Sequence, residues 1–214
     1  MTLDNISIHF DKKSNLPSDE GGAAYSVAAL YLSCLGKYKT EATRKIVIQT
    51  TSDASKEDKI DDLLNVVLIY KLFDFEKYQS SNKFEKRKML LDVLQNGLLF
   101  TARSKGWDIL AINEAYHCCI AKKLEHKWLR EERYILSPDK KYYAGIFCIW
   151  DSYKFEVFTI FLNKEKQEIK REKMYESNPA YVEPMGKMKW DKESASTFIL
   201  FSKDGKQKWL ANLD

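Results

Sequence analysis

Glu114 and His117 stand three residues apart on a stretch with helical periodicity, a spacing that puts a carboxylate and an imidazole on one helix face. Di-metal sites in helix bundles use such pairs, but they need a second pair and two further carboxylates, and no second Glu-x-x-His occurs. A helix-surface histidine with an i,i+3 partner explains the pair better. Cys118 and Cys119 follow His117 directly, yet adjacent helical positions point in different directions, so His117 is poorly placed to activate Cys118. Paired zinc-ligand spacing, a GxSxG elbow, a P-loop and an HExxH motif are absent from the sequence. Gly21-Gly22 precedes an Ala-rich stretch, but Asp19 and Glu20 just upstream would repel a phosphate there. No catalytic residues, cofactor, metal or small-molecule substrate is expected.

Charge offers more. Asp53, Glu57, Asp58, Asp61 and Asp62 form an acidic cluster against Lys56 and Lys59. Carboxylates at the start of a helix are favoured by its dipole, which explains most of them. The surplus suggests an acidic patch that faces a partner. Lys140, Lys141, Tyr142 and Tyr143, and separately Lys86, Arg87 and Lys88, have the composition of nucleic-acid contacts, though turn lysines and a solvated helix face explain both as well. Tyr175, Tyr181 and Trp190 are candidates for an aromatic recognition surface, or for the cover of one end of the core.

These residues need elements to hold them. Ile6, Ile8 and Phe10 alternate as in a strand, residues 23–35 predict a helix ended by Gly36, with a strand as the alternative because Val27, Ala29 and Tyr31 also alternate, and RKIVIQTT at 44–51 predicts a strand. Ile60, Leu63, Leu64, Val67 and Leu68 fall at helical spacing, so a long helix capped by Ser52 or Ser55 is expected to run toward Phe75. QSSN at 79–82 breaks the pattern. Two more helices follow, over about 83–103 and from Asp108 to about Glu125. Near His126 the pattern changes. SPDKK, WDSY, NKEKQ and SKDGK then separate alternating apolar runs, and Asp204-Gly205 is a clear hairpin signal. FEVFTIFL at 155–162 reads as a central strand, EIKREK at 168–173 as a charged edge, and 174–186 as an irregular loop.

This order predicts an α+β fold: a helical N-terminal half packed on a C-terminal antiparallel β-sheet, one domain over 1–214 with helix-rich 1–126 and strand-rich 127–214. At 214 residues with 44% hydrophobic content the chain can bury a sizeable core. Its net charge of +4 is spread over both halves, which argues against a dedicated duplex-binding protein. Cys34, Cys118, Cys119 and Cys148 lie in apolar stretches without framework spacing and read as buried free thiols of a reducing compartment. The opening residues lack a signal-peptide pattern, and the apolar run at 23–35 is too short for a bilayer, so a soluble, cytoplasmic protein without membrane contact is expected.

Three stretches, KRKMLLDVLQNGLLFTARSKGWD at 86–108, NEAYHCCI at 113–120 and SPDKKYYAGIFCIWDSYKFEVFTIFLNKEKQEI at 137–169, resemble in texture and order the small bacterial immunity proteins of contact-dependent growth inhibition and related polymorphic toxin systems. The resemblance implies a non-catalytic binding protein that neutralises a cognate toxin domain. Asp58, Asp61 and Asp62 are the expected charged contacts, and Tyr181 and Trp190 the expected anchors. A nucleic-acid-associated protein is the alternative.

Overall fold

A computed structural model describes residues 1–11, 16, 21–180, 182 and 184–213. The chain divides into two compact units, Met1–His126 and Lys127–Asp214, at the point where the sequence pattern changes.

The first unit contains β1 (Asn5–His9), α1 (Gly21–Leu35), β2 (Lys45–Thr51), β3 (Ile60–Leu63), β4 (Val66–Leu72), α2 (Phe75–Ser80), α3 (Lys83–Lys105) and α4 (Ile109–Ala121). Its sheet has the order β1-β2-β4-β3, with β1, β2 and β4 parallel and β3 antiparallel to β4. Ile6 and Ile8, Ile46 and Ile48, and Val67 and Ile69 are buried along alternate positions of three neighbouring strands. They share a core with Val27, Leu30 and Tyr31 of α1 and Leu90, Leu91, Leu94 and Leu98 of α3. The expectation that the N-terminal helices pack on the C-terminal sheet is therefore corrected: these helices bury their apolar faces on a sheet of their own.

The correction turns on residues 52–73. No long helix forms there; a 3₁₀ turn at Ala54–Lys56 leads into the β3–β4 hairpin. Ile60, Leu63, Leu64, Val67 and Leu68 match a helical face only by coincidence, because a strand buried in part on both faces also offers apolar residues at mixed spacings. The run Val66-Val67-Leu68-Ile69-Tyr70, rich in β-branched residues and ending in an aromatic one, is the better guide.

α1, α3 and α4 form close to where expected, whereas α2 at Phe75–Ser80 was not expected and takes in the first two residues of QSSN. Gly36 ends α1 with φ +63, and its N–H donates to the Leu32 carbonyl at 3.0 Å. The break at QSSN is a cap: the Asn82 side chain accepts from the Glu85 N–H, and the Glu85 carboxylate accepts from the Asn82 N–H, each at 3.0 Å. Asp108 caps α4 through the Leu110 and Ala111 N–H groups. Inside the unit the Tyr31 hydroxyl donates to Gln95 Oε1 at 2.5 Å and lies 2.8 Å from the Ile112 carbonyl, tying α1 to α3 and α4, and burial pushes its pKa up. Cys34 of α1 and Cys118 of α4 form a disulfide, so the expectation of four free thiols is corrected for these two. Cys119 and Cys148 are free and buried, and burial pushes each thiol up to about 12.

α3 approaches β2 and β4 most closely at Gly97, where a Cβ would lie 2.5 Å from Ile48 Cδ1 and 3.5 Å from Ile69 Cγ2. On an exposed helix face Gly→Ala stabilises by up to about 1 kcal/mol. Gly97→Ala is expected to do the reverse, costing about 1 to 2 kcal/mol as Ile48 is forced from its rotamer. Urea unfolding reads the sign directly, and a raised midpoint would refute the close-packing account.

The second unit contains β6 (Ile135–Leu136), β7 (Tyr143–Trp150), β8 (Phe155–Leu162), β9 (Glu168–Ser177), β10 (Met185–Trp190), β11 (Thr197–Ser202) and β12 (Lys208–Asn212), with β5 (His126–Leu129) starting at the break. One sheet runs β5-β7-β8-β9 with β6 beside β7, and the other runs β10-β11-β12. The four expected turns separate these strands. β8 is central and buried along nearly all its length, while β9 is an edge that carries Lys170, Arg171, Glu172 and Lys173. β9 runs on through Ser177, so the expected loop at 174–186 is shorter than its sequence suggests. Phe155, Phe161, Trp190, Phe198 and Leu200 fill the core.

Candidate functional site

The acidic cluster sits on the β3–β4 hairpin rather than on a helix. Leu63 pairs with Val66, which leaves Leu64-Asn65 as a two-residue loop. Leu64 takes φ +56, a region that costs a branched L-residue about 1 to 2 kcal/mol and that Gly or Asn would fill more easily. It is also 97% exposed, and Leu63 beside it is 72% exposed. Two aliphatic side chains thus stand in solvent at a strained tip. β3 is the outer strand of its sheet, and its Asp61 and Asp62 are charges that discourage another strand from pairing there.

The acids around it have separate duties. The Asp58 N–H donates to the Tyr70 carbonyl at 3.0 Å, and the Tyr70 N–H donates to the Lys59 carbonyl at 3.1 Å, so two residues oppose one in a bulge. Asp58, with φ +62, occupies the position that usually takes Gly. Its carboxylate accepts from Lys71 Nζ at 2.6 Å, and Glu57 lies 3.3 Å from the same ammonium, whose side chain is only 11% exposed. Asp62 pairs with Lys105 at the end of α3. Asp53 accepts from the Ser55 N–H at 3.0 Å and the Ser55 hydroxyl at 2.7 Å, bonds that hold its pKa below the usual carboxylate range. Asp61 is exposed and has no ion pair among the described residues. Of the three expected contacts, Asp58 and Asp62 pair with lysines of their own unit, and Asp61 stands exposed near the exposed Leu63 and Leu64. The leucines escape a sequence reading that assigns them to the buried face of a helix.

The expected anchors fare differently. Tyr181 lies outside the described residues. Trp190 is 6% exposed, its Nε1 donates to the Ile135 carbonyl at 2.8 Å, and its ring meets Phe161 and Phe198, so it is a core residue rather than a surface anchor. Its alternation with Met188, against Lys187 and Lys189, was the available signal for an inward position. Tyr175 stacks on Trp209 at 4.3 Å and packs against the same core.

The basic stretches are engaged as well. Arg87 is buried, Lys86 lies over the Tyr78 ring, Lys88 binds Asp92 and the Tyr116 hydroxyl, and Lys141 pairs with Asp139. Glu114 and His117 are exposed on α4, and among the described residues no group of three or more His, Cys, Asp or Glu side chains is placed to hold a metal. Cys118 is tied to Cys34. A groove of about 670 Å³ opens at the carboxyl ends of β1 and β2, lined by His9, Asp11, Gly21, Tyr25, Lys56 and Tyr70 among others. Its Gln49 Nε2 and Thr50 hydroxyl both donate to the His9 carbonyl. Asp19 and Glu20, which bear on a phosphate reading of Gly21-Gly22, lie outside the described residues.

No family model, no curated protein and no solved structure matches the chain. No helix among the described residues is long and apolar enough to cross a membrane.

Proposed function

We propose that this is a non-catalytic immunity protein that binds and neutralises a cognate bacterial toxin domain, and that the β3–β4 hairpin is its contact. The observation that supports this reading is the exposed Leu63-Leu64 tip, strained at Leu64 and framed by Asp61 and its neighbouring acids. Apolar side chains withdrawn from water at an interface favour binding roughly in proportion to the area they bury. Unpaired acid nearby speeds encounter with a basic surface and rejects acidic ones. The complementary partner is a basic domain with an apolar recess, such as an enzyme that handles phosphates.

The test is to sequence the neighbouring reading frames, co-express this chain with any toxin domain they encode, and titrate the purified pair. Protection and a one-to-one complex are expected. Replacing Leu63 and Leu64 together by Ser should weaken binding about 30-fold, which corresponds to about 2 kcal/mol. Asp61→Asn should slow association and flatten its salt dependence, while Asp58→Asn should act on unfolding instead. Full affinity in the double leucine variant would remove the hairpin from the interface, and lack of any complex would end the immunity reading.

A further inference from the structure

The second unit carries a groove of about 740 Å³ between β10, the end of β11 and the β11–β12 turn. Among the described residues, Arg130, Lys187, Lys189 and Lys203 line it against one acid, Asp204. Asp204 is committed to its own turn, where its carboxylate accepts from the Ser202 hydroxyl at 2.7 Å and the Lys206 N–H at 3.1 Å. Arg130 is committed too. Its guanidinium donates to the Gly186 carbonyl at 2.6 Å and the Met185 carbonyl at 3.2 Å, bracing β10 where its register with β11 shifts between Met185 and Met188. Gly186 is pressed so close to β11 that a Cβ there would lie 2.4 Å from the Ser202 carbonyl oxygen. The floor is therefore tightly packed backbone, and the charge available to a ligand belongs to Lys187, Lys189 and Lys203, all exposed.

Between the lysines lies an aromatic ring. Phe201 is half-buried, and the Lys189 ammonium stands 5.4 Å from its centroid, so the ring turns a face toward the charged rim. A ring face beside several ammonium groups is the combination that holds a single nucleic-acid strand, with bases stacking while cations follow the backbone. Lysine suits phosphate as a point charge, whereas planar recognition of carboxylates favours the arginine fork, and the one arginine here is spent on backbone carbonyls. We propose that this groove binds single-stranded nucleic acid, with one base stacked on Phe201 and the adjoining phosphates on Lys187, Lys189 and Lys203. It lies on the other unit from the hairpin, so the two proposals stand or fall separately.

Fluorescence anisotropy of the full chain with short labelled oligo-dT and oligo-rU is the test. Saturable binding is expected in about 50 mM salt, with log affinity falling against log salt at a slope of about −2 for three phosphate contacts. The triple variant Lys187→Ala, Lys189→Ala, Lys203→Ala should keep its circular dichroism, lose at least about tenfold in affinity and lose most of that slope. Phe201→Leu should lose about tenfold while keeping the slope, because a base stacks on an aromatic face and not on an aliphatic chain. Should Phe201→Leu unfold, the lysine variant decides alone, since its three positions are exposed. The proposal is overturned by absence of binding in low salt, by a triple variant that binds like the parent, or by a poly-glutamate of matched charge that competes equally. That last result would make the groove a site for an acidic protein.

Discussion

Reduction of the Cys34–Cys118 disulfide is expected to destabilise residues 1–126 by about 4 kcal/mol. The two cysteines are 84 residues apart, so the bond closes a long loop in the unfolded chain. Such a crosslink removes unfolded-state entropy that grows with the logarithm of loop length. In the folded unit, α1 and α4 also meet where the Tyr31 hydroxyl approaches the Ile112 carbonyl, so the helices stay docked without the bond. The loss should therefore appear as a lower urea midpoint with a native-like circular dichroism spectrum in dilute buffer. Cys34→Ser should reproduce the loss and become insensitive to reductant, whereas Cys148→Ser should not abolish the reductant effect. Four titratable thiols in the unreduced, denatured protein would show that the bond is not made.

Acidification from pH 7.5 to 5 is expected to cost about 2 kcal/mol through His126, rising to about 3 kcal/mol below pH 4. His126 is 8% exposed. Burial, then the nearby Lys122 and Arg87 cations, lower its pKa to about 4 from an ordinary value of 6.5. Between those values the unfolded chain binds a proton that the folded chain refuses. The neutral ring's contribution is thus complete above pH 6.5 and is lost as the pH falls toward 4. His9, lowered by burial and by Lys45, adds to the loss in the same direction. The carboxylates with lowered pKa, Asp53, Asp139, Glu156, Glu168 and Asp204, lose their share only at lower pH, so the window above pH 5 isolates the histidines. His126→Gln should remove most of the slope in urea stability between pH 7.5 and 5. An unchanged slope would mean that His126 charges without penalty where it sits.

Much of the secondary structure was legible. Capping residues at Asn82 and Asp108, the glycine after α1 and the turn at Asp204-Gly205 are local signals, and local signals survive in a sequence. The sheet of the first unit was not legible as a sheet. β1, β2 and β4 pair across stretches of about 40 and 21 residues, Ile6 with Ile46 and Ile46 with Val67, and nothing in the intervening chain announces the pairing. Once β4 is read as helix, the sheet loses a strand and the helices must be given another surface to cover. The acidic cluster was visible as composition, but which acid is free depends on Lys71 and Lys105, which come from β4 and α3. The disulfide and the groove around Phe201 likewise depend on which elements lie together in space.

The strand order of the two units also sets a timetable. In the second, β7, β8 and β9 are successive neighbours, as are β10, β11 and β12, so each sheet can grow from short hairpins. In the first, parallel partners must close long loops before any contact rewards them, and such pairings form slowly. The half that leaves the ribosome first is then the half that finishes last. In the interval β2, with Ile46, Val47 and Ile48 at its centre, waits as an unpaired apolar strand. Demand for chaperones and loss to aggregation during production should therefore trace to residues 45–51 rather than to the strand-rich half of the chain.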